Sequence, residues 1–371
     1  MNAPTAPWVQ LNWDALVANL QRVRALAPRA KVLAVIKANA YGHGLIRVAQ
    51  TLHEADGFAV ARVEEGIALR RAGILQRIAV LQGFGDREQL KAHQTYRLEP
   101  VIHSVHQIDL LEAEGESHQS LRVWLKLDTG MHRLGVDAAA FPSALARLQR
   151  RLGAKAVALM THLARADELE VSDTGDQLAL FDRMTYKLTL EKNIANSAAV
   201  LAWPESHRDW VRPGLMLYGV SPFPDRPGPQ LNLTPVMTFK SRLIAVKFLS
   251  PGASVGYGAT WTARRPSRLG LVAAGYGDGY PREVPSGTLV LIDGHRVPLV
   301  GRVSMDVLSV DITDFPQVGV GSEATLWGEG LPVEVIAQKA ETIPYTLMCR
   351  VAARVPMIEV QANYGARENR L

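Results

Sequence analysis

The first 220 residues repeat one pattern eight times: a short β-rich apolar run, a polar turn, then a stretch of helical periodicity. The runs are VLAVIK (32–37), GFAVA (57–61), RIAVLQ (77–82), LEPVIH (98–103), VWLKLDT (123–129), AVALMTHL (156–163), KNIANS (192–197) and WVRPGL (210–215). Amphipathic stretches such as VEEGIALRRAG and DQLALFDRMTYKL lie between them. Strands that alternate with helices pair in parallel through right-handed crossovers. Near-continuous apolar strands belong to a sheet covered on both faces. Eight such units predict an α/β fold, a (β/α)8 barrel of the TIM type rather than an open sheet. The last two runs carry the weakest β pattern. A further helix, WDALVANLQRVRALA, precedes the first run, with Asn12 placed to cap it.

Residues 221–230, SPFPDRPGPQ, hold four prolines and a glycine, which stops the alternation. Beyond it the pattern turns to β, in PVMTFKSRLIAVKFL, LGLVAAGYG and LVLIDGHRVPLVGRV. Asp293-Gly294 sits between two of these runs as a hairpin turn. Only VEVIAQKAE (333–341) reads as helical. The expected division is a barrel over 1–225 and a mainly-β domain over 226–371, with the extreme N-terminal residues free to pair with the second domain.

The formal net charge of +5 comes from 41 basic and 36 acidic side chains, and it is dispersed. The densest basic cluster, TARRPSR at 262–268, has no zinc-finger or RNA-binding motif around it, so no nucleic-acid partner is expected. Cys349 is the sole cysteine, which excludes a disulfide framework and fits a reducing cytoplasm. The start MNAPTAPWVQLNWDAL has no basic region followed by an apolar core. No apolar run approaches the roughly 20 residues that span a bilayer, so no membrane partner is expected.

In a barrel of this kind the site lies at the C-terminal ends of the strands. Read in order, those ends hold Lys37, then Lys126 and Asp128, His162, Asn196 and Ser197, and Arg212, with Arg133 in the loop KLDTGMHRLG. One lysine where an apolar strand runs out is either a solvated end or a positioned chemical group. So many polar ends on one rim favour a site. Metal ligation is a poor reading: His103 and His106 are three apart, with no acidic or cysteine partner at ligand spacing. A Schiff-base lysine fits better, given a pocket that lowers its pKa and a carbonyl cofactor. Pyridoxal phosphate supplies the carbonyl and an anionic phosphate, for which Tyr41, Ser197 and Gly214 offer hydroxyls and backbone N–H groups.

The stretch AVIKANAYGHG (34–44) resembles the cofactor-lysine signature of alanine racemases, a family of fold type III pyridoxal-phosphate enzymes. KLDTGMHRLG, THLARAD, NSAA, VRPGLMLYG, SVGYGATW, GYGDGYPR and GRVSMD each resemble a segment of that family, in order, along nearly the whole chain. The resemblance implies interconversion of L- and D-alanine, either for peptidoglycan or for alanine catabolism. It further implies that Lys37 carries the cofactor and removes the α-proton of the D-enantiomer. Tyr276 would be the opposing base for the L-enantiomer, contributed by the other subunit of a homodimer with shared active sites. Arg133 would bind the substrate carboxylate and the cofactor's ring oxygen, and Met305 would add a backbone N–H from the partner subunit. Lys126 matches a position that is carbamylated in many members. Arg212 would face the pyridine nitrogen and be oriented by His162. Tyr41, Asn196, Ser197, Gly214 and Leu215 complete the implied cofactor contacts.

Two positions depart from the family pattern. Ser304 stands where many members have cysteine, a change expected to be neutral for the chemistry. Ala353, in CRVAARVP, stands where many have a tyrosine that contacts the phosphate and gates the entrance. It removes one phosphate hydrogen bond and widens the expected passage, which keeps a broader-specificity racemase as an alternative. Other readings fit less well. Asp128-Thr129-Gly130 and Asp173-Thr174-Gly175 copy the aspartic-protease triplet, but that chemistry needs two β-rich lobes, and the second copy reads as an aspartate-capped helix start. A mere carrier of the cofactor needs no opposing base. A decarboxylase of this fold favours an acidic group at the ring nitrogen.

Overall fold

The computed structural model describes residues 7–114 and 121–360. The chain divides into two compact units, residues 20–217 and residues 1–19 with 218–371. The unit changes at Tyr218, just ahead of the proline-rich stretch. Strand β1 (Trp8–Asn12) comes first and belongs to the second unit. Of the extreme N-terminal residues, 1–6 lie outside the described residues. Asn12 then caps the helix Trp13–Leu26, its Oδ1 accepting the Ala15 N–H at 3.0 Å.

Residues 20–217 form a closed barrel of eight parallel strands. These are β2 (Lys31–Val35), β3 (Gly57–Val60), β4 (Arg77–Val80), β5 (Glu99–Ile102), β6 (Val123–Lys126), β7 (Val157–Met160), β8 (Lys192–Asn193) and β9 (Trp210–Val211). Pairing of Lys31 with Trp210 and Val32 with Val211 closes the ring. Strands β3, β5, β6 and β7 are buried at every position. Covering helices on one side and barrel packing on the other explain their unbroken apolar runs. The two weakest runs yield strands of only two residues. In KNIANS the chain turns at Asn196 to cap the helix Ser197–Ala202, accepting the Ala199 N–H at 3.0 Å. In WVRPGL the strand stops short of Pro213, which lacks an N–H for the ladder.

The strands also end earlier than the apolar runs suggested. Only Lys126 is itself a strand-terminal residue. Lys37, Asp128, His162 and Arg212 follow their strands in turns. The triplet Asp173–Gly175 does open a helix (Asp173–Thr185), but its N-cap position is Ser172 and no side-chain cap bond forms there, so the expected aspartate cap is corrected.

The second unit is built on an eight-stranded sheet in the order β15-β14-β17-β10-β1-β18, with β13 pairing β10 and β16. Its strands are β10 (Met237–Leu249), β11 (Ser254–Val255), β12 (Trp261–Thr262), β13 (Ser267–Val272), β14 (Leu289–Ile292), β15 (His295–Pro298), β16 (Leu308–Asp311), β17 (Glu323–Trp327) and β18 (Met357–Val360). Strands β11 and β12 pair only with each other. Asp293 and Gly294 both take positive φ between β14 and β15, as a two-residue hairpin turn requires. The helix expected over 333–341 runs Val333–Lys339. A second one, Pro344–Cys349, was not expected. Its six residues are too few for periodicity, and Pro344 presets the helical φ of its first turn.

Candidate active site

Lys37 opens a turn that its own sequence does not favour. Ala38, Asn39, Ala40 and Tyr41 all have φ between 52 and 53°, in the left-handed region, and Gly42 follows at 84°. Each non-glycine residue there costs roughly 1–2 kcal/mol, so the surroundings must hold the turn. Glu65 does so from the helix after β3. Its Oε1 accepts the Ala38 N–H at 2.7 Å, and its Oε2 accepts the N–H groups of Ala61 (2.8 Å) and Arg62 (3.1 Å). Asn39 Oδ1 accepts the Leu45 N–H at 2.9 Å. His43, buried, has its Nδ1 3.1 and 3.0 Å from the carbonyls of Ala40 and Tyr41, so that nitrogen carries the proton. Burial lowers its pKa to about 4 against the opposing pull of those carbonyls, and the ring is neutral. The product is a rigid turn that carries Lys37 and Tyr41.

Tyr41 is buried and reaches the end of β9. A Cβ on Gly214 would lie 2.6 Å from the Tyr41 hydroxyl, so a side chain at that position would displace the phenol. Ser197 Oγ accepts the N–H groups of Gly214 (2.9 Å) and Met216 (3.3 Å). A hydroxyl that accepts two bonds still has one proton to donate. The Gly214 N–H is therefore engaged, and the donors that converge here are the two hydroxyls. Leu215 is buried in the following turn.

Arg212 is buried one residue past β9. It donates to Asn193 Oδ1, to the Thr161 carbonyl at 2.8 Å, and to His162 Nδ1 at 2.9 Å. An arginine has no lone pair to offer, so His162 Nδ1 is the acceptor and the ring proton sits on Nε2. Burial, then the charges of Arg212 and Lys126, press the His162 pKa well below its usual value, which agrees. Burial and Arg133 lower the Arg212 pKa to about 10, with Tyr41 opposing, and the guanidinium stays charged at neutral pH.

Lys126, at the end of β6, is buried beside Arg212, Arg133 and Lys37. Burial first, then those charges, bring its pKa down to about 8, with Asp128 opposing. Asp128 has other work. Its Oδ1 accepts the N–H groups of Gly130 (3.0 Å) and His132 (3.1 Å), and its Oδ2 lies 3.3 Å from His132 Nδ1. It organises the loop that carries the exposed Arg133, and it is not one of a pair of proton-sharing carboxylates. Four cations thus gather at one rim with a single carboxylate committed to a loop. That balance calls for an anionic ligand. A phenol, a hydroxyl, a lysine amine and a donor-only guanidinium fit a phosphorylated pyridine aldehyde.

In the second unit, Tyr276 begins the short turn Tyr276–Asp278 and is partly exposed. Its N–H bonds to the Ser304 carbonyl at 3.0 Å, and the Gly277 N–H bonds to the Met305 carbonyl at 2.9 Å. A Cβ on Gly275 would lie 2.2 Å from the Ser304 oxygen, which accounts for the glycine before the tyrosine. Ser304 serves through its backbone, which any residue supplies. Met305 is exposed.

Sequence reasoning missed Glu65, His43, Asn193, Thr161 and Gln177. Gln177 Nε2 donates to the His162 carbonyl at 3.1 Å and to Thr129 Oγ1 at 3.2 Å. Asn193 had a signal, a polar residue inside an apolar strand. Glu65, Thr161 and Gln177 fall within ordinary helical or strand patterns, and His43 lies in a glycine-flanked turn.

Fold and site together define a (β/α)8-barrel enzyme followed by a β domain. The family model "Alanine racemase, N-terminal domain" matches residues 11–222, and "Alanine racemase, C-terminal domain" matches 236–359. The alanine racemase of Aeromonas hydrophila is 49% identical over 349 residues, covering 94% of this chain and 98% of that one. The crystal structure of biosynthetic alanine racemase from Pseudomonas aeruginosa superposes with a TM-score of 0.93 at 42% identity, over 96% of this chain and 100% of that one. The alanine racemase of Bartonella henselae, solved with covalently bound pyridoxal phosphate, gives 0.86 at 30% identity over 96% and 100%. The chain belongs to the alanine racemase family.

Proposed function

We propose that this enzyme interconverts L- and D-alanine with pyridoxal phosphate on Lys37, and that Lys37 and Tyr276 serve as bases on opposite faces of the α-carbon. The observation that carries the reading is Arg212, buried and held by three acceptors at the barrel rim. Bound there, pyridoxal phosphate supplies a carbonyl for imine chemistry and a ring that withdraws electrons from the α-carbon. A donor-only arginine facing the ring nitrogen would leave that nitrogen unprotonated and the withdrawal modest, which would favour return of the proton over other outcomes. Tyr41 and Ser197 would hold the phosphate, with Gly214 and Leu215 shaping the turn. Asn196 fixes the helix start that bears Ser197, and His162 orients Arg212. Arg133 would bind the substrate carboxylate, with the Met305 N–H from a partner subunit. The β domain would complete the partner's site in a cytoplasmic homodimer, supplying D-alanine for peptidoglycan or serving catabolism. Among the described residues no helix is long and apolar enough to cross a membrane.

Two bases give a directional test. Tyr276→Phe should keep the cofactor but lose solvent-deuterium exchange into L-alanine by roughly 10²–10⁴-fold, while exchange into D-alanine persists. Equal loss from both enantiomers would contradict the assignment. The same assay over a panel of L-amino acids measures the breadth that Ala353 permits.

We further propose that Lys126 is carbamylated. An amine brought down to about 8 is partly neutral at physiological pH and can attack carbon dioxide, releasing a proton. The resulting anion offsets the three cations around it. Enzyme equilibrated with ¹³C-bicarbonate should show one carbamate resonance that strengthens as pH rises through about 8. Lys126→Ala should lack it, and an unchanged spectrum would refute the modification.

A further inference from the structure

Besides the two backbone hydrogen bonds to Ser304 and Met305, the turn that carries Tyr276 is tied to the Met305 loop by one side chain. Arg354 Nε donates to Asp278 Oδ1 at 2.7 Å, and Arg354 Nη2 donates to Asp306 Oδ1 at 2.6 Å. Asp278 belongs to the tyrosine turn: its Oδ2 accepts the Gly275 N–H at 3.0 Å, and its carbonyl accepts the Ala352 N–H at 3.1 Å. Asp306 directly follows Met305. A Cβ on Gly277 would lie 2.8 Å from Arg354 Nη2, so the guanidinium packs on the peptide next to Tyr276. The side chain of Asp278 is only 4% exposed while that of Arg354 is 50% exposed. The arm to Asp306 is exposed on both sides and contributes little to stability, so its effect lies in geometry. The arm to Asp278 also satisfies a buried carboxylate. The planar Arg354 fork reaches two carboxylates on separate segments in a fixed geometry, which a flexible lysine ammonium would hold less rigidly.

We infer that Arg354, through Asp278 and Asp306, is a positioning residue that fixes Tyr276 relative to Met305. The inference rests on the reading of Tyr276 as the base for L-alanine. Displacing a reacting group by about 1 Å can cost on the order of 100-fold in rate. Only the face served by Tyr276 should lose it.

The test uses the holoenzyme and measures deuterium exchange into each enantiomer, with melting temperatures alongside. Arg354→Gln should slow exchange into L-alanine by about 100-fold and leave exchange into D-alanine within about threefold. Arg354→Lys should fall between the two, and it carries the test if the glutamine variant fails to fold. In the double variant Tyr276→Phe/Arg354→Gln, the L-side loss should equal that of Tyr276→Phe alone, because a positioning residue has nothing left to position. Equal slowing for both enantiomers, or losses that multiply in the double variant, would overturn the inference. A Tyr276→Phe variant without directional loss would overturn the two-base reading itself, and the clamp with it. A directional Tyr276→Phe beside a non-directional Arg354→Gln would overturn the clamp alone.

Discussion

Lys37→Ala should yield a folded protein that neither retains pyridoxal phosphate covalently nor racemises alanine. Loss of the base alone removes roughly 10²–10⁴-fold in rate, and loss of the amine removes the attachment as well. The fold should persist because the turn does not depend on the lysine side chain. Glu65, Asn39 and His43 hold its backbone. The wild-type protein treated with borohydride should carry the cofactor mass on the peptide that contains Lys37, and the variant should carry none. A variant that is labelled to the same extent, or that racemises at the wild-type rate, would sink the assignment.

The second large effect lies at the other end of the barrel and concerns stability. Arg77, the first residue of β4, donates to both oxygens of Glu99 at 2.7 and 2.9 Å and to Glu191 at 2.8 Å. Its guanidinium lies 5.1 Å from the ring of Trp124 and 4.7 Å from that of Trp210. Trp124 Nε1 donates to Glu99 at 2.8 Å, and Lys31 reaches Glu191 at 2.9 Å. These residues sit at or beside the N-terminal ends of β2, β4, β5, β6, β8 and β9, where they close the bottom of the barrel. Glu99→Ala should destabilise the protein by about 2–4 kcal/mol, because a partly buried arginine loses two hydrogen bonds and keeps only Glu191, and an indole N–H loses its acceptor. Glu99→Gln, which keeps one acceptor, should lose less. Chemical denaturation measures both, and a loss below about 1 kcal/mol for the alanine variant would refute the plug.

The same cluster sets an acid limit. Burial pushes the Glu191 pKa up, but hydrogen bonds from Arg77 and Lys31 outweigh it and leave it at about 2. A carboxylate lowered in the folded state adds stability that is complete above its unfolded value of 4.5 and disappears as pH falls toward 2. Glu191→Gln should therefore flatten the pH dependence of stability within that window. An unchanged slope would mean that the carboxylate is not coupled to folding.

Much of the architecture is legible in order and period. Eight apolar runs between helical stretches allow few closures other than a barrel, because parallel strands need crossovers and doubly covered strands must be apolar throughout. The proline-rich stretch after Tyr218 and the Asp293-Gly294 turn are equally local, since φ restrictions act within one or two residues. The rim residues Lys37, Lys126, His162 and Arg212 were also within reach, once strand ends were known to face the mouth.

Other features depend on contacts that no local rule encodes. Local preference argues against four left-handed residues in ANAY, and the turn exists because Glu65, which follows the next strand, accepts the Ala38 N–H. Arg212 finds its acceptors on β8 and just past β7 only when the barrel closes. Arg77 gathers Glu99, Glu191, Trp124 and Trp210 from four other strands or strand starts, and Arg354 gathers Asp278 and Asp306 across the β unit.

The sequence alone determined which side chains arrive at or just past the strand ends, and hence the family. It could not determine their orientation or their charge state. Those follow from desolvation and from hydrogen-bond partners far apart in the chain. Only the folded barrel buries Lys126 and sets it beside Arg212 and Arg133, which together bring its pKa down to about 8.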